Sequence, residues 1–248
     1  EFRRVLFRSN ISGGSIYSNA SSSFTVIDSM VRNSIAALSV NSSVGGGGGG
    51  DGGDGGGGGM YLWGNSGNQM LFSNTTFLKN NASSGLGGAV HRSGGGALTI
   101  NNSSFFSNVG LEGGGLYLAN GTSLLQNITV RSNRGMEIGG GMKLDGTELA
   151  VIDDSNVIYN TADDSGGGLY ISAGVELQTS NALYSDNLAN SNSMILGGGG
   201  ALYLETSSVV TSTQDVYMSN VALQSHGGAI YVEDSSTLSC SSCSLQNN

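Results

Sequence analysis

The 248-residue chain predicts an all-β fold, a single-stranded parallel β-helix of about eight coils with three short strands in each. Three observations predict it. A Gly-Gly motif recurs eight times, an Asn follows each at a nearly fixed distance, and apolar residues alternate with polar ones in between.

The motifs are GGSIY at Gly13, GGGMY at Gly57, GGAVH at Gly87, GGGLY at Gly113, GGGMK at Gly139, GGGLY at Gly166, GGALY at Gly199 and GGAIY at Gly227. Each precedes an apolar residue placed three before an Asn, as in Met30 to Asn33, Phe77 to Asn80, Phe105 to Asn108 and Tyr184 to Asn187. From first Gly to Asn the separation stays between 20 and 23 residues, whereas from Asn to the next Gly it ranges from 5 to 24. The constant part must stack on its neighbours; the variable part reads as a loop leaving one edge of the stack.

The first strand of each repeat follows the Gly pair. The third and fifth residues after each first Gly are mostly apolar, as in Leu116 and Leu118, Met142 and Leu144, or Leu169 and Ile171, so one face is buried. A second apolar pair, such as Phe24 and Val26, Met70 and Phe72, or Leu98 and Ile100, marks the second strand. The third strand carries the apolar residue of the Asn motif. Glycine suits a corner that needs positive φ. Asn tolerates the left-handed region and bonds neighbouring backbone, which makes Asn33, Asn80, Asn108, Asn133, Asn160, Asn187, Asn220 and Asn248 a candidate structural ladder. Helices are excluded by the missing 3.6-residue period, and a β-sandwich would not require such regular local repeats. With coils about 4.8 Å apart, eight make a rod on the order of 38 Å long.

Residues 1–9, EFRRVLFRS, fall outside this pattern. They match, without a gap, the translation of an adapter used in short-read sequencing libraries (gag ttc aga cgt gtg ctc ttc cga tct), and are set aside as non-native. Without their three Arg and one Glu, the net charge moves from −9 to −11. Residues 10–248 form the repeat domain, and 34–56 are assigned to a Gly-rich flexible loop. The stretch GGGGGGDGGDGGGGG, Gly45 to Gly59, resembles Gly-Asp calcium repeats, but Gly53 stands where those need a large apolar residue, so Asp51 and Asp54 are read as loop residues. An acidic chain with no basic stripe excludes nucleic-acid binding. No run approaches eighteen apolar residues, which argues against membrane insertion by a helix. The chain reads as an internal fragment whose neighbours would be further coils of a longer protein.

The pairing of GGAV at Gly87, GGAL at Gly199 and GGAI at Gly227 with FLKN at Phe77 and FFSN at Phe105 resembles the GGA[ILV]/FxxN repeats of the chlamydial polymorphic outer membrane proteins. Similar repeats occur in other right-handed, pectin-lyase-like β-helix surface proteins. The resemblance spans Gly13 to Asn248. Gly or Ser replaces Ala in five repeats, and Met, Val, Tyr or Leu replaces Phe in six. It implies a right-handed β-helix, an extracellular, cell-surface or outer-membrane location, and an adhesin-like or stalk role with a carbohydrate or a host cell-surface protein as partner. The barrel through which that family is exported has no counterpart here.

Four groups of side chains are candidate sites. The residue four after each first Gly is Tyr17, Tyr61, His91, Tyr117, Lys143, Tyr170, Tyr203 or Tyr231, an outward ladder in which Tyr could platform a sugar ring or protein. Aromatic ladders also simply favour strand stacking. For the alternative class, a polysaccharide lyase or glycoside hydrolase, the carboxylates would be Asp153 with Asp154, Asp163 with Asp164, and Glu205 with Glu233 one coil apart. No Lys or Arg follows them in register, Lys143 sits on another coil, and they read as solvated surface acids. Cys240 and Cys243 suggest a local disulfide, since zinc would need two further ligands and His226 alone does not complete the set. His91 and His226 lie apart, so no catalytic triad, metal or cofactor is indicated. The sequons at Asn19, Asn41, Asn74, Asn81, Asn101, Asn102, Asn120 and Asn127 matter only in a eukaryotic secretory pathway.

Overall fold

A computed structural model describes residues 16–20, 23–35, 57–191 and 197–248. The chain winds into a parallel β-solenoid. Three sheets of eight strands and one of six run along it, and every strand pairs in parallel with its counterparts one coil away. First-sheet strands at Ile16–Ala20, Met60–Gly64, Val90–Gly94, Leu116–Ala119, Met142–Asp145, Leu169–Ile171, Leu202–Leu204 and Ile230–Val232 number the coils 1 to 8. No helix of the described residues is long and apolar enough to cross a membrane.

The core is a column of inward rows. The third residue after each first Gly contributes Met60, Val90, Leu116, Met142, Leu169 and Leu202, all fully buried. Phe72, Ile100, Leu125 and Ile152 enter from the second sheet and Phe77, Phe105, Val130 and Val157 from the third. Each fully buried side chain of this size contributes about 1.5–3 kcal/mol relative to exposure. Burial on one face with period two therefore fixes register, because a one-residue slip would turn a whole row outward.

The Gly pair has two separate causes. Gly113 takes φ +62°, while a Cβ on Gly114 would stand 2.2 Å from the carbonyl oxygen of Gly140 in the next coil. Left-handed backbone suits the first glycine, and close backbone approach requires the second.

The interval expected as loop contains a fourth strand. Asn81–Leu86, Val109–Glu112, Arg134–Gly135, Thr161–Ala162, Leu188–Asn190 and Val221–Leu223 form the six-stranded sheet, so coils 2 to 7 carry four strands rather than three. Even the two-residue strands are held, because the stack already places their amides opposite carbonyls one coil away. Their inward residues are small and aligned: Ala82, Gly110, Gly135, Ala162, Ala189 and Ala222. The sequence signal is a small residue two after each ladder Asn.

Register also corrects the first rung of the ladder. Val31 pairs with Phe77, while Met30 pairs with Thr76 and is 46% exposed. Asn33 thus corresponds to Lys79, and Ser34 occupies the ladder slot, its amide reaching Asn80 Oδ1 at 3.2 Å. The left-handed residue of this corner is likewise not the ladder Asn but the one before it: Lys79, Ser107, Ser132, Tyr159, Asp186, Ser219 and Asn247 have φ of 53 to 57°. That residue makes the bend with its side chain outside, leaving the next Asn free to point inward. Ser34 and Ile35, assigned to the loop, stay in the stack, Ile35 bridging to Asn81. The adapter-like segment and the Gly-rich stretch through Asp51 and Asp54 lie outside the described residues.

Candidate functional site

Rows of polar and aromatic side chains run along the solenoid, two inside and one outside. The first inner one is the Asn row at the corner between the third and fourth sheets. Asn80, Asn108, Asn133, Asn160, Asn187 and Asn220 are 0–1% exposed. In each, Oδ1 accepts the backbone amide of the equivalent residue one coil earlier, as Asn133 Oδ1 does from Asn108 N at 2.9 Å. Each Nδ2 donates twice, once to the next Oδ1 and once to a third-strand carbonyl of the preceding coil; Asn133 reaches Asn160 Oδ1 at 3.0 Å and Phe105 O at 3.0 Å. The series continues to Asn248, whose Oδ1 accepts from both Asn220 N and Nδ2. A carboxamide is the only neutral side chain that can offer two donors and an acceptor at one site, and burial makes an unfilled one costly.

A second inner row, not read from the sequence, lies at the corner between the second and third sheets. Ser29, Thr75, Ser103 and Ser155 donate to the carbonyl two residues earlier, and Ser103 and Ser155 also accept an amide from the preceding coil. Asp215 takes this slot in coil 7, accepting from Ala182 N at 2.8 Å and from Ser212 Oγ at 2.6 Å. Burial pushes its carboxyl pKa up, against the pull of these bonds. Cys243 occupies the slot in coil 8 and is joined to Cys240 in a disulfide, with Cα atoms 5.8 Å apart. The signal was a hydroxyl, acid or thiol two before the inward residue of the third strand, hidden by the chain's abundance of Ser.

The outer row runs from Tyr17 through Tyr61, His91, Tyr117, Lys143, Tyr170 and Tyr203 to Tyr231, each paired with the next across the first sheet. It is less open than an outward ladder suggests. His91, Tyr117, Lys143 and Tyr203 are 1–9% exposed, because each ring covers its neighbour. Tyr170, Tyr203 and Tyr231 stack nearly parallel with centroids 4.9 and 5.1 Å apart. Their faces are therefore directed at one another, and edges and hydroxyls point outward. His91 meets Tyr61 and Tyr117 edge-on, and burial pushes its pKa down to about 4.

Carboxylates flank this row two residues further along the next coil. Tyr117 hydrogen-bonds Asp145 Oδ2 at 2.5 Å, Tyr203 bonds Glu233, and the Glu205 carboxylate acts on the Tyr170 phenol. Burial and these acids together raise the Tyr170 and Tyr203 phenols well above their ordinary pKa. Burial alone would raise the Glu233 carboxyl, but hydrogen bonds from Tyr203 and Thr206 outweigh it and hold the pKa below its ordinary value. Lys143 replaces a ring in the row, lying 5.3 Å from the Tyr117 centroid and 5.6 Å from that of Tyr170, with Nζ 2.6 Å from Glu112 Oε2. A cation between two aromatic faces keeps the stack continuous.

The remaining acids are placed apart. Asp163 pairs with Arg134 one coil earlier at 2.7 Å, although Arg134 is in register with Thr161 rather than with the acid. Asp153 accepts from Ser180 Oγ at 2.6 Å, Asp164 accepts from Ser191 Oγ at 3.1 Å, and Asp154 makes a left-handed corner. Glu205 and Glu233 stand in consecutive coils but engage Ala173 N and Thr206 N respectively. Among the described residues, no group of three or more His, Cys, Asp or Glu could hold a metal ion. Comparison with family models, curated proteins and solved structures found no match to this chain.

Proposed function

We propose that this chain is a non-catalytic stalk of an extracellular or cell-surface protein, built from repeats of the kind found in the chlamydial polymorphic outer membrane proteins. The observation that carries the reading is the uninterrupted Asn row from the Ser34 amide to Asn248, in which each coil is hydrogen-bonded to the next from inside. Such a column resists bending and shear without any ligand. Five of the six carboxylates that a lyase or hydrolase would aim at substrate, all but Asp154, are instead engaged with a neighbouring coil, as Glu233 is with Tyr203 and Thr206. The Cys240–Cys243 disulfide fits an oxidising compartment. With ring faces turned toward each other, an adhesive contact at Tyr170 and Tyr203 would use phenol edges and Glu205 rather than a stacked sugar. The test pulls the chain between its ends in a single-molecule instrument and incubates it with pectin-like polymers. Stepwise extension in units of one coil, with the polymers intact, is expected; depolymerisation would overturn the reading.

A further inference from the structure

The first-sheet row that follows the core enters the interior as Leu62, Leu118, Leu144, Ile171 and Leu204, and Arg92 stands in the same register in coil 3. Arg92 is 0% exposed, and among the described residues no carboxylate pairs with it. Its guanidinium is turned into the bend between the first and second sheets. Nη1 donates to Thr122 O at 2.9 Å and to Gly96 O at 3.4 Å, and Nη2 donates to Asn120 O. The Nε–H has no partner.

One coil on, a second polar residue interrupts an apolar row. Met70, Leu98, Ala150, Leu177 and Val210 line the interior from the second sheet, and Ser123 replaces them in coil 4. Ser123 is 3% exposed and its Oγ is likewise unpartnered. The two breaks are adjacent, because Thr122 O, which Nη1 grips, belongs to the peptide that leads into Ser123. Two orphaned polar atoms at one corner are costly if left dry, about 1–3 kcal/mol each.

We propose that Arg92 Nε and Ser123 Oγ hold one buried water molecule at this corner, a structural hydration site inside the solenoid. The water accepts the Nε–H and donates to Ser123 Oγ, and the carbonyl rim of Gly96, Asn120 and Thr122 offers further acceptors. A buried water commonly makes two to four such bonds. An anion is disfavoured, since three carbonyl oxygens already surround the cation and would repel it. Pairing Ser with Arg on neighbouring coils thus tolerates a cation in register with the aliphatic Leu62, Leu118, Leu144, Ile171 and Leu204.

The test is proton NMR on the ¹⁵N-labelled chain. A negative-sign NOE between Arg92 Hε and water, the mark of a long-lived bound molecule, is expected in the native protein and lost in Ser123→Ala. A native protein without that NOE, or a Ser123→Ala variant that keeps it unchanged, overturns the proposal. Crystals soaked in bromide give an independent readout that needs no variant. Ordered density without anomalous signal beside Nε supports water, and an anomalous peak there or no density at all contradicts it.

Discussion

Coils 2 and 3 and coils 6 and 7 place aromatic rings at the same inward position of the third strand, but with opposite chemistry. Phe77 and Phe105 stack at 4.9 Å and 4°; Tyr184 and Tyr217 stack at 5.0 Å and 7°. Coil spacing, not ring polarity, sets the geometry. What differs is the residue five positions earlier. Phe72 and Ile100 precede the phenylalanines, whereas Thr179 and Ser212 precede the tyrosines and bond their hydroxyls at 2.8 and 2.9 Å. The repeat admits a polar layer in its core only as a matched pair, because a buried hydroxyl must find a partner.

The Asn row crosses both halves, so its rungs should be equivalent. Asn108→Ala and Asn187→Ala each strand an amide, a carbonyl and a neighbouring carboxamide, and each should cost about 4 kcal/mol from a few unmet bonds of 1–3 kcal/mol. Urea titration checks this, and unequal costs would break the equivalence. The matched-pair rule predicts that Phe105→Tyr, with Ile100 five residues before it, destabilises by about 3 kcal/mol, and that adding Ile100→Thr recovers at least half. Additivity of the two changes would refute the rule.

The outer row differs between halves as well. In coils 2 to 4 it contains His91, whose folded pKa of about 4 lies below the ordinary value. The unfolded chain therefore binds the proton more readily, so this contribution to stability is complete above pH 6.5 and is lost as pH falls toward 4. The loss should reach about 3 kcal/mol. His91→Tyr, which restores the commoner residue of the row, should remove that part of the acid sensitivity in thermal melts across this range. In the polar half the smallest effect is expected. Tyr217→Phe should cost about 1 kcal/mol, since Ser212 keeps its bond to Asp215.

Much of this was legible in the sequence, and the missed parts share a cause. The Gly pairs and the inward apolar pairs gave the first three strands, because glycine and period-two burial leave strong signals. The fourth strand, only two to six residues long, was hidden in an interval of variable length whose only mark is a small residue such as Ala162 or Ala189. The first rung was misplaced because Asn33 and Ser34 are adjacent and only pairing partners distinguish them. The Tyr–carboxylate links required knowing that the residue two beyond Tyr203 and Tyr231 lies beside the preceding coil's ring. That is a relation between coils, not within one.

The most direct test of the column is amide hydrogen exchange at Asn160, near the junction of the two halves. Its backbone N–H bonds the side-chain oxygen of Asn187 at 3.0 Å. If the buried Asn row joins the coils, this amide exchanges as slowly as those of the flanking strands, and Asn187→Ala releases it. Exchange at the rate of an unprotected amide in the native protein would contradict the account.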